Sequence, residues 1–338
     1  MSVHSEIEKV ADPRRVASSG LASWARRNGL QLGIVAVLLV IWGIFIIFAP
    51  TTFLSHEIYQ AFMSSTPFFA MMALPLTLIV IAAEMDLSFP SVMALSMTAF
   101  AITYNLTINM WLALLACLVT GIIAGLVNGL IVVKIGIPAL VATIGTQFFY
   151  RGLVLVINGG NGFSLVPIKD TALYNLLVGR QLGIPAQMVW TILIAIAVWI
   201  FLNRTRPGAH LYLVGDNIDS SRLMGINVDQ RKIMAFALVG LAAAFAGLVA
   251  SLEINYFWPT LGEGYLLQTL ASVFLGGTSV FGGTGTVFGT FIAAFIIGAI
   301  NAGIVAVGLG GFWTQVIYGF IIIVSVSLQT VLGRRLRK

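Results

Sequence analysis

The chain has 338 residues, of which 59% are hydrophobic and 9% are charged, whereas soluble domains are about 45–50% apolar. Its mean hydropathy is +1.01, which excludes an ordinary soluble protein. The formal net charge is +6, but the bases flank apolar runs and mark topology, which argues against nucleic-acid binding. The composition therefore predicts a polytopic membrane protein.

Apolar runs recur along the chain, and each is about 20 residues long, enough for a helix to cross a hydrocarbon core of about 30 Å. The alternating pattern that is typical of membrane β-barrels does not occur, so the predicted fold class is all-α. We predict ten spans, at 30–49, 60–82, 89–105, 110–133, 138–157, 188–202, 233–252, 264–281, 287–306 and 312–331. The domain organisation is then a tail (1–29), a transmembrane domain (30–331) and a second, basic tail (332–338).

Both tails are rich in bases, and basic segments beside membrane spans stay in the cytoplasm. We therefore expect both termini to be cytoplasmic and the number of spans to be even. The first span is expected to be an uncleaved anchor, because no signal-peptide pattern precedes it. The internal bases agree with this orientation, since Lys134 and the five bases of 203–232 share the cytoplasmic face, while Lys169 and Arg180 lie outside.

The second predicted span ends in two acids, Glu84 and Asp86. A charge at the bilayer centre costs about 2.5–3.5 kcal/mol, so these groups lie near water or have partners. One interpretation is a proton site of a carrier. The other, which we favour, is structural, because Asp86 followed by Ser88 is typical of a cap at the start of the third span.

Arg151 lies near the end of the fifth span, in a polar stripe with Thr143, Gln147 and Asn158. An arginine at this depth faces protein or a wet cavity, or its head reaches the outer headgroups along its apolar stem. Pathway lining and headgroup contact remain equal alternatives.

The outer loop 158–187 is polar and rich in glycine and proline, and it contains a predicted short helix at 170–177. It is either a plain lid or a docking surface. A second outer stretch, 253–260, places aromatic residues at the membrane interface, where such residues are typical anchors.

Residues 203–232 are the one long charged passage between spans. They include a predicted short helix at 219–226, and glycines flank it at Gly208, Gly215 and Gly225. A polar helix held between two spans is what a membrane subunit needs to receive force from a soluble motor.

Segment 77–101 matches segment 269–293 at a constant offset, and each copy leaves an apolar span, forms a polar kink and enters another span. Related halves of this kind are typical of transporters. The second copy holds the glycines Gly276, Gly277, Gly282 and Gly283. Because no G-x-x-x-x-G-K-[ST] sequence occurs in the chain, we interpret them as a tight helix turn and not as an ATP-binding loop.

Glycines at four-residue spacing predict close helix packing in the fourth span, at Gly121, Gly125 and Gly129. Cys117 is the only cysteine and lies in an apolar run, so it is interpreted as a small buried residue. The three histidines are scattered without a second ligand at helical spacing, so we expect neither a metal site nor another bound cofactor. No catalytic triad can be assembled, which argues against an enzyme.

Four segments in this order resemble the permease subunits of bacterial ATP-binding-cassette importers for monosaccharides, of the ribose, xylose and galactose type. They are residues 83–91 (AEMDLSFPS), 138–152 (PALVAT leading to Arg-Gly), 215–226 (GDN leading to Arg and Gly-Ile) and 276–289. The resemblance extends from about residue 60 to 331. Departures include Ala83 and Glu84, where the family has two glycines, and Leu266 and Gln268, where it has acids.

The resemblance implies a multi-pass permease of the bacterial inner membrane. Its partners would be a second permease, identical or homologous, two ATPase subunits that bind ATP and Mg²⁺, an extracytoplasmic substrate-binding protein, and membrane lipid. The 203–232 passage would then be the coupling loop to the ATPase. The residues expected to make this contact are Gly215, Asp216, Arg222, Gly225 and Ile226.

Hydroxyl and amide groups beside aromatic faces suit neutral sugars. The candidates for a path for a monosaccharide or polyol are therefore Thr143, Gln147, Asn255, Tyr256, Trp258 and Gln268. The rival hypothesis is a proton-coupled secondary carrier that uses Glu84, Asp86 or Glu263. A membrane-embedded enzyme is a third hypothesis, for which no residue pattern argues.

Overall fold

The protein is described by a computed structural model that covers residues 29–169, 171–181, 183–306, 308 and 311–336. The predicted first tail lies outside these residues apart from Gly29, as do the last two bases, Arg337 and Lys338. The first half contains α1 Gly29–Phe48, α2 Pro50–Phe53, α3 His56–Ile81, α4 Phe89–Thr107, α5 Met110–Leu130 with a π-helical continuation Ile131–Ile135, and α6 Ala139–Asn158. The second half contains α7 Ala172–Val178, α8 Ala186–Arg204, α9 Arg206–Asp216, α10 Ile218–Leu223, α11 Val228–Glu253, α12 Leu266–Leu275, α13 Val287–Ala306 and α14 Phe312–Leu336.

Four two-residue strands form two small antiparallel pairs. Strand β1 (Phe163–Ser164) pairs with β4 (Tyr256–Phe257), and β2 (Arg180–Gln181) pairs with β3 (Ile184–Pro185). The predicted helix at 170–177 is observed as α7, and Asp170 lies outside the described residues.

Within the described part of the chain, nine helices are long and apolar enough to cross a membrane. The predicted eighth span, 264–281, contains only the ten-residue helix α12, which covers about 15 Å, half of a hydrocarbon core. The irregular stretch 254–265 leads into it and is lined by buried residues, among them Phe257 and Leu261. Irregular backbone at membrane depth is tolerated where protein covers it, so this stretch and α12 together form the eighth passage.

The predicted repeat is present as two helix–loop–helix units, although their registers differ. The loop after α3 spans 82–88 and the loop after α12 spans 276–286. The second loop is four residues longer, so the constant offset ends before α13.

Helix α3 lies at the centre of the bundle and is buried on every side over its last fifteen residues. Its Thr77 hydroxyl is 2.8 Å from the Thr290 hydroxyl of α13. By contrast, α1 and α14 expose most of their apolar surface, which is typical of helices that face lipid.

The predicted close packing of α5 is confirmed, and its partner is α11. A Cβ at Gly121 would collide with the Gly240 carbonyl, a Cβ at Gly125 with that of Phe236, and a Cβ at Gly129 would lie 2.9 Å from Ile233 Cα. Only glycine lets the two backbones approach this closely.

Both ends of the described chain lie at the same end of the bundle, which we call the basic end because α9 and α10 are there. Gln329, late in α14, donates to the carbonyls of Phe274 and Thr278 at 3.1 and 3.2 Å. Phe45, late in α1, packs on Gly303, late in α13, so α1 also starts at the basic end. The β1–β4 pair marks the opposite end, which we call the strand end.

A strained residue ends α4. Ile108 has φ of 53°, a left-handed conformation that costs about 1–2 kcal/mol in a residue with a Cβ. Its side chain is 72% exposed, so little packing is lost on its removal. We expect Ile108→Gly to stabilise the protein by about 0.5–1 kcal/mol after the entropy cost of glycine, raising Tm in detergent. The control Ile102→Gly, within the same helix, should lower Tm; a lower Tm for both would contradict the strain assignment.

Candidate functional site

The 203–232 passage folds into two short helices and not one. The predicted helix at 219–226 is α10, where Asn217 Oδ1 accepts from Ser220 N at 2.8 Å and caps the start. Helix α9 was not predicted. The sequence does contain a helix-start signal here, since Thr205 is followed by Pro207 in the first turn, a combination typical of helix starts. In the structure, the Thr205 hydroxyl accepts from Gly208 N at 3.2 Å.

The end of α9 meets both loops of the repeat, and we call this contact the junction: Gly215 and Asp216 of α9, loop 82–88 and loop 276–286. Gly283 N donates to the carbonyl of Ile81 at 2.9 Å. A Cβ at Gly215 would collide with that same carbonyl and lie 2.6 Å from Gly283 N. The three backbones therefore touch without intervening side chains.

Backbone conformation at the junction requires glycine in one loop and is strained in the other. Gly282 and Gly283 have φ of 82° and 73°, and Ala83 has φ of 60°. Gly276 closes α12 against α13, and Gly277 also has a positive φ. The four predicted turn glycines thus all lie in the turn between α12 and α13. Ala83 has a backbone conformation that is typical of glycine.

Side chains reinforce the junction from two directions. The Tyr212 hydroxyl of α9 donates to the Gly285 carbonyl at 2.8 Å. Lys232, in the first turns of α11, forms an ion pair with Glu84, and both side chains are largely buried. A buried ion pair is stable only while both charges keep their partners. The pair therefore holds loop 82–88 to α11 as well as to α9.

Asp86 belongs to a chain of buried hydrogen bonds. Its Oδ1 accepts from the backbone N and hydroxyl of Ser88 at 2.7 and 2.6 Å. Asn128 donates to the Ser88 hydroxyl at 2.6 Å, and Tyr150 donates to Asn128 at 3.1 Å. Burial raises the pKa of the Asp86 carboxyl above its ordinary value. Both acids are engaged in holding loop 82–88. The predicted helix cap is not formed, because Ser88 is the N-cap residue of α4 and the start of α4 has no side-chain cap hydrogen bond.

The expected coupling residues fall into two groups. Asp216 and Arg222 are exposed, and Gly225 is exposed with φ of 77°. Gly215 is inside the junction, and Ile226 is in a small core with Val214 and Val228 that seats α10. Beside Arg222, two apolar residues that the sequence did not single out, Leu223 and Met224, are 90% and 59% exposed.

The candidate path residues lie in three separate places. Thr143 and Gln147 are on α6, and the Thr143 hydroxyl donates to Ala139 at 2.8 Å. Gln268 is on α12. The remaining three lie at the strand end, where Asn255 has a buried Oδ1 without a hydrogen-bond partner among the described residues, Tyr256 is half exposed and Trp258 follows β4. The six therefore belong to three different segments of the chain, on α6, on α12 and around β4.

Arg151 faces protein, as expected for an arginine at this depth, and its role in lining a path stays a prediction. Its guanidinium donates to the carbonyls of Pro90 at 3.1 Å, Leu261 at 2.9 Å and Pro259, and its Nε is 3.4 Å from Glu263. It therefore clamps the first turn of α4 to the irregular stretch that leads into α12. Because every residue has a backbone carbonyl, nothing in the sequence indicates which carbonyls accept from Arg151.

Arg151→Met should destabilise the protein strongly, by about 3 kcal/mol or more, because it leaves buried carbonyls without a donor. Thermal unfolding in detergent measures this loss. The control is Arg180→Met, since Arg180 is 3.9 Å from Glu253 with its side chain 56% exposed, and an exposed pair contributes about 0–1 kcal/mol. Equal effects of the two variants would contradict the clamp.

Gly215→Ala should separate the junction, because the added methyl overlaps the Ile81 carbonyl, and overpacking costs about 1–3 kcal/mol. We expect faster hydrogen exchange at the amides of 276–286. Gly33→Ala is the matched control, since a Cβ there meets nothing within 4 Å. Unchanged exchange in Gly215→Ala would show that the three segments do not depend on one another.

Comparison with known proteins adds independent evidence. Residues 58–326 match the family model described as the branched-chain amino acid transport system permease component. The chain is 32% identical over 301 residues to the ribose import permease protein RbsC of Escherichia coli (strain K12), covering 88% of this chain and 93% of that protein. It is 32% identical over 294 residues to the autoinducer 2 import system permease protein LsrC of Enterobacter sp. (strain 638), covering 87% and 84%. No solved structure gives a significant match.

Proposed function

Since the chain belongs to the family of the branched-chain amino acid transport system permease component, we propose that it forms half of an ATP-driven import path for a ribose-like monosaccharide or polyol. It is a permease subunit and a multi-pass protein of the bacterial inner membrane. The substrate class is supported by the names of relatives that import ribose and autoinducer 2.

ATP and Mg²⁺ bind to separate ATPase subunits in this proposal, and the basic end faces the cytoplasm. The observation that supports this proposal is the junction, where α9 contacts both loop 82–88 and loop 276–286. Leu223 and Met224 project from α10 beside Arg222, and an exposed apolar pair rimmed by a base suits a protein contact. An ATPase that binds α10 therefore transmits its movement through α9 to the membrane spans.

A second permease completes the path, and an extracytoplasmic binding protein delivers the sugar at the strand end. Helix α6, which carries Thr143 and Gln147, exposes Val141, Phe148 and Val156, an apolar face available to a second subunit. The sugar then moves by alternating access.

The test is to co-purify the chain with the ATPase and binding protein encoded beside it, and to reconstitute the complex in vesicles. We expect ribose or a related sugar, with its binding protein, to stimulate ATP hydrolysis several-fold and to accumulate only with ATP. Uptake by this chain alone under a pH gradient would instead establish the proton-coupled carrier.

Arg222→Glu and Leu223→Asp should each abolish sugar-stimulated ATP hydrolysis while Tm changes little, because both side chains are exposed. The loss should appear as failure of the ATPase to co-purify. Arg206→Glu reverses a charge at the same end but outside α10 and serves as the control. Normal coupling in both α10 variants would refute the assignment of the contact surface.

A further inference from the structure

A long apolar groove opens between α3, α5, α8 and α11, with a volume of about 430 Å³. Its floor includes Pro75 and Leu78, and its walls are α8 from Trp190 to Phe201 and α11 from Leu238 to Phe245. Trp190 and Phe245 pack edge to face, with ring centroids 5.3 Å apart, and close the groove toward the strand end. Such a groove does not hold water, which needs polar partners.

The length of the groove matches one membrane leaflet. From Trp190 to Phe201, α8 advances about 16 Å at 1.5 Å per residue, close to half of a hydrocarbon core of about 30 Å. Its lining is dominated by large side chains, whereas helices that associate in membranes use small residues at the contact. These dimensions and this composition suit a flexible hydrocarbon chain better than a second helix.

The open end of the groove carries unpaired positive charge. Arg231 lies two helical turns before Leu238, which is itself two turns before Phe245, so the three share one face of α11. Arg204 ends α8, but its guanidinium lies 5.7 Å from the ring centre of Trp199, which lines a different pocket, between α8 and α13, so Arg204 does not belong to the groove. Arg231 forms no ion pair within the described ranges.

A second observation points to a missing ligand at this end. The Nε of Arg231 is buried and has no hydrogen-bond partner among the residues that the structure covers. A buried donor without an acceptor is costly, and the oxygens of a phosphate suit an arginine fork. The groove therefore combines an apolar interior, about as long as one membrane leaflet is thick, with an end that favours an anion.

We propose that this groove binds one anionic phospholipid, with an acyl chain between α8 and α11 and its phosphate at Arg231. The lipid then joins α8, which precedes α9 and α10 in the chain, to α11, which follows them. This site is independent of which solute is carried, so it can fail while the proposed function stands.

The test uses the full-length chain in phosphatidylcholine vesicles that contain phosphatidylglycerol with a photoactivatable diazirine in its acyl chain. We expect labelled peptides from 190–201 and 238–245, several-fold more than with phosphatidylcholine carrying the same diazirine chain. The variant Arg231→Gln should reduce labelling to the phosphatidylcholine level. Lys134→Gln removes a base from the same end that is paired with Asp229 at 2.7 Å and should leave labelling unchanged.

Ala197→Trp keeps Arg231 and fills the groove, so it should reduce labelling by either lipid. Equal labelling by the two lipids, or full labelling in the Arg231→Gln variant, overturns the proposal. A disulfide between two copies of an Ala197→Cys variant also overturns it, since that result would place a second chain in the groove.

Discussion

The rest of the structure depends on one constraint, a backbone contact at the junction that leaves no room for a side chain. At the junction, the backbone of Gly215 lies directly against the Ile81 carbonyl and the Gly283 amide. Packed interiors are close to incompressible and have few discrete arrangements. Helix α9 therefore cannot shift relative to loops 82–88 and 276–286 without breaking this contact, and a displacement of α9 is delivered to both loops together.

The clamp at Arg151 extends this connection into the membrane domain. Loop 82–88 leads into α4, and Arg151 ties the first turn of α4 to the stretch that leads into α12. Helix α12 in turn ends at loop 276–286. The two repeat units are thus fastened to each other at both ends of α12, which makes α4 and α12 the spans most directly moved by α9. The open groove beside α8 shows a contrasting, loosely packed part of the same bundle.

Much of this architecture is readable from the sequence. Long apolar runs indicate the nine long helices because hydrocarbon thickness fixes their length, and the spacing of Gly121, Gly125 and Gly129 indicates close packing. The half-length α12 was not predicted, since hydropathy does not distinguish a short helix with a buried approach from a full span. Contacts to backbone carbonyls, such as those of Arg151, depend on tertiary structure alone. The role of Ala83 was hidden because an alanine in a left-handed conformation carries no signal of its own.

The central claim is that α9 and the two loops move as one body, and a covalent link within the junction tests it most directly. A Cβ at Gly283 would lie 3.3 Å from Asp216 Cβ, close to the separation of about 3.5–4.5 Å in disulfides, and the single native cysteine, Cys117, is buried. In the assembled complex carrying Asp216→Cys and Gly283→Cys, we expect the disulfide to form equally with and without ATP and to leave ATP-driven uptake equal to that of the same variant kept reduced, which already carries the cost of the two substitutions. A disulfide that forms in only one nucleotide state, or that stops uptake until it is reduced, would contradict the account.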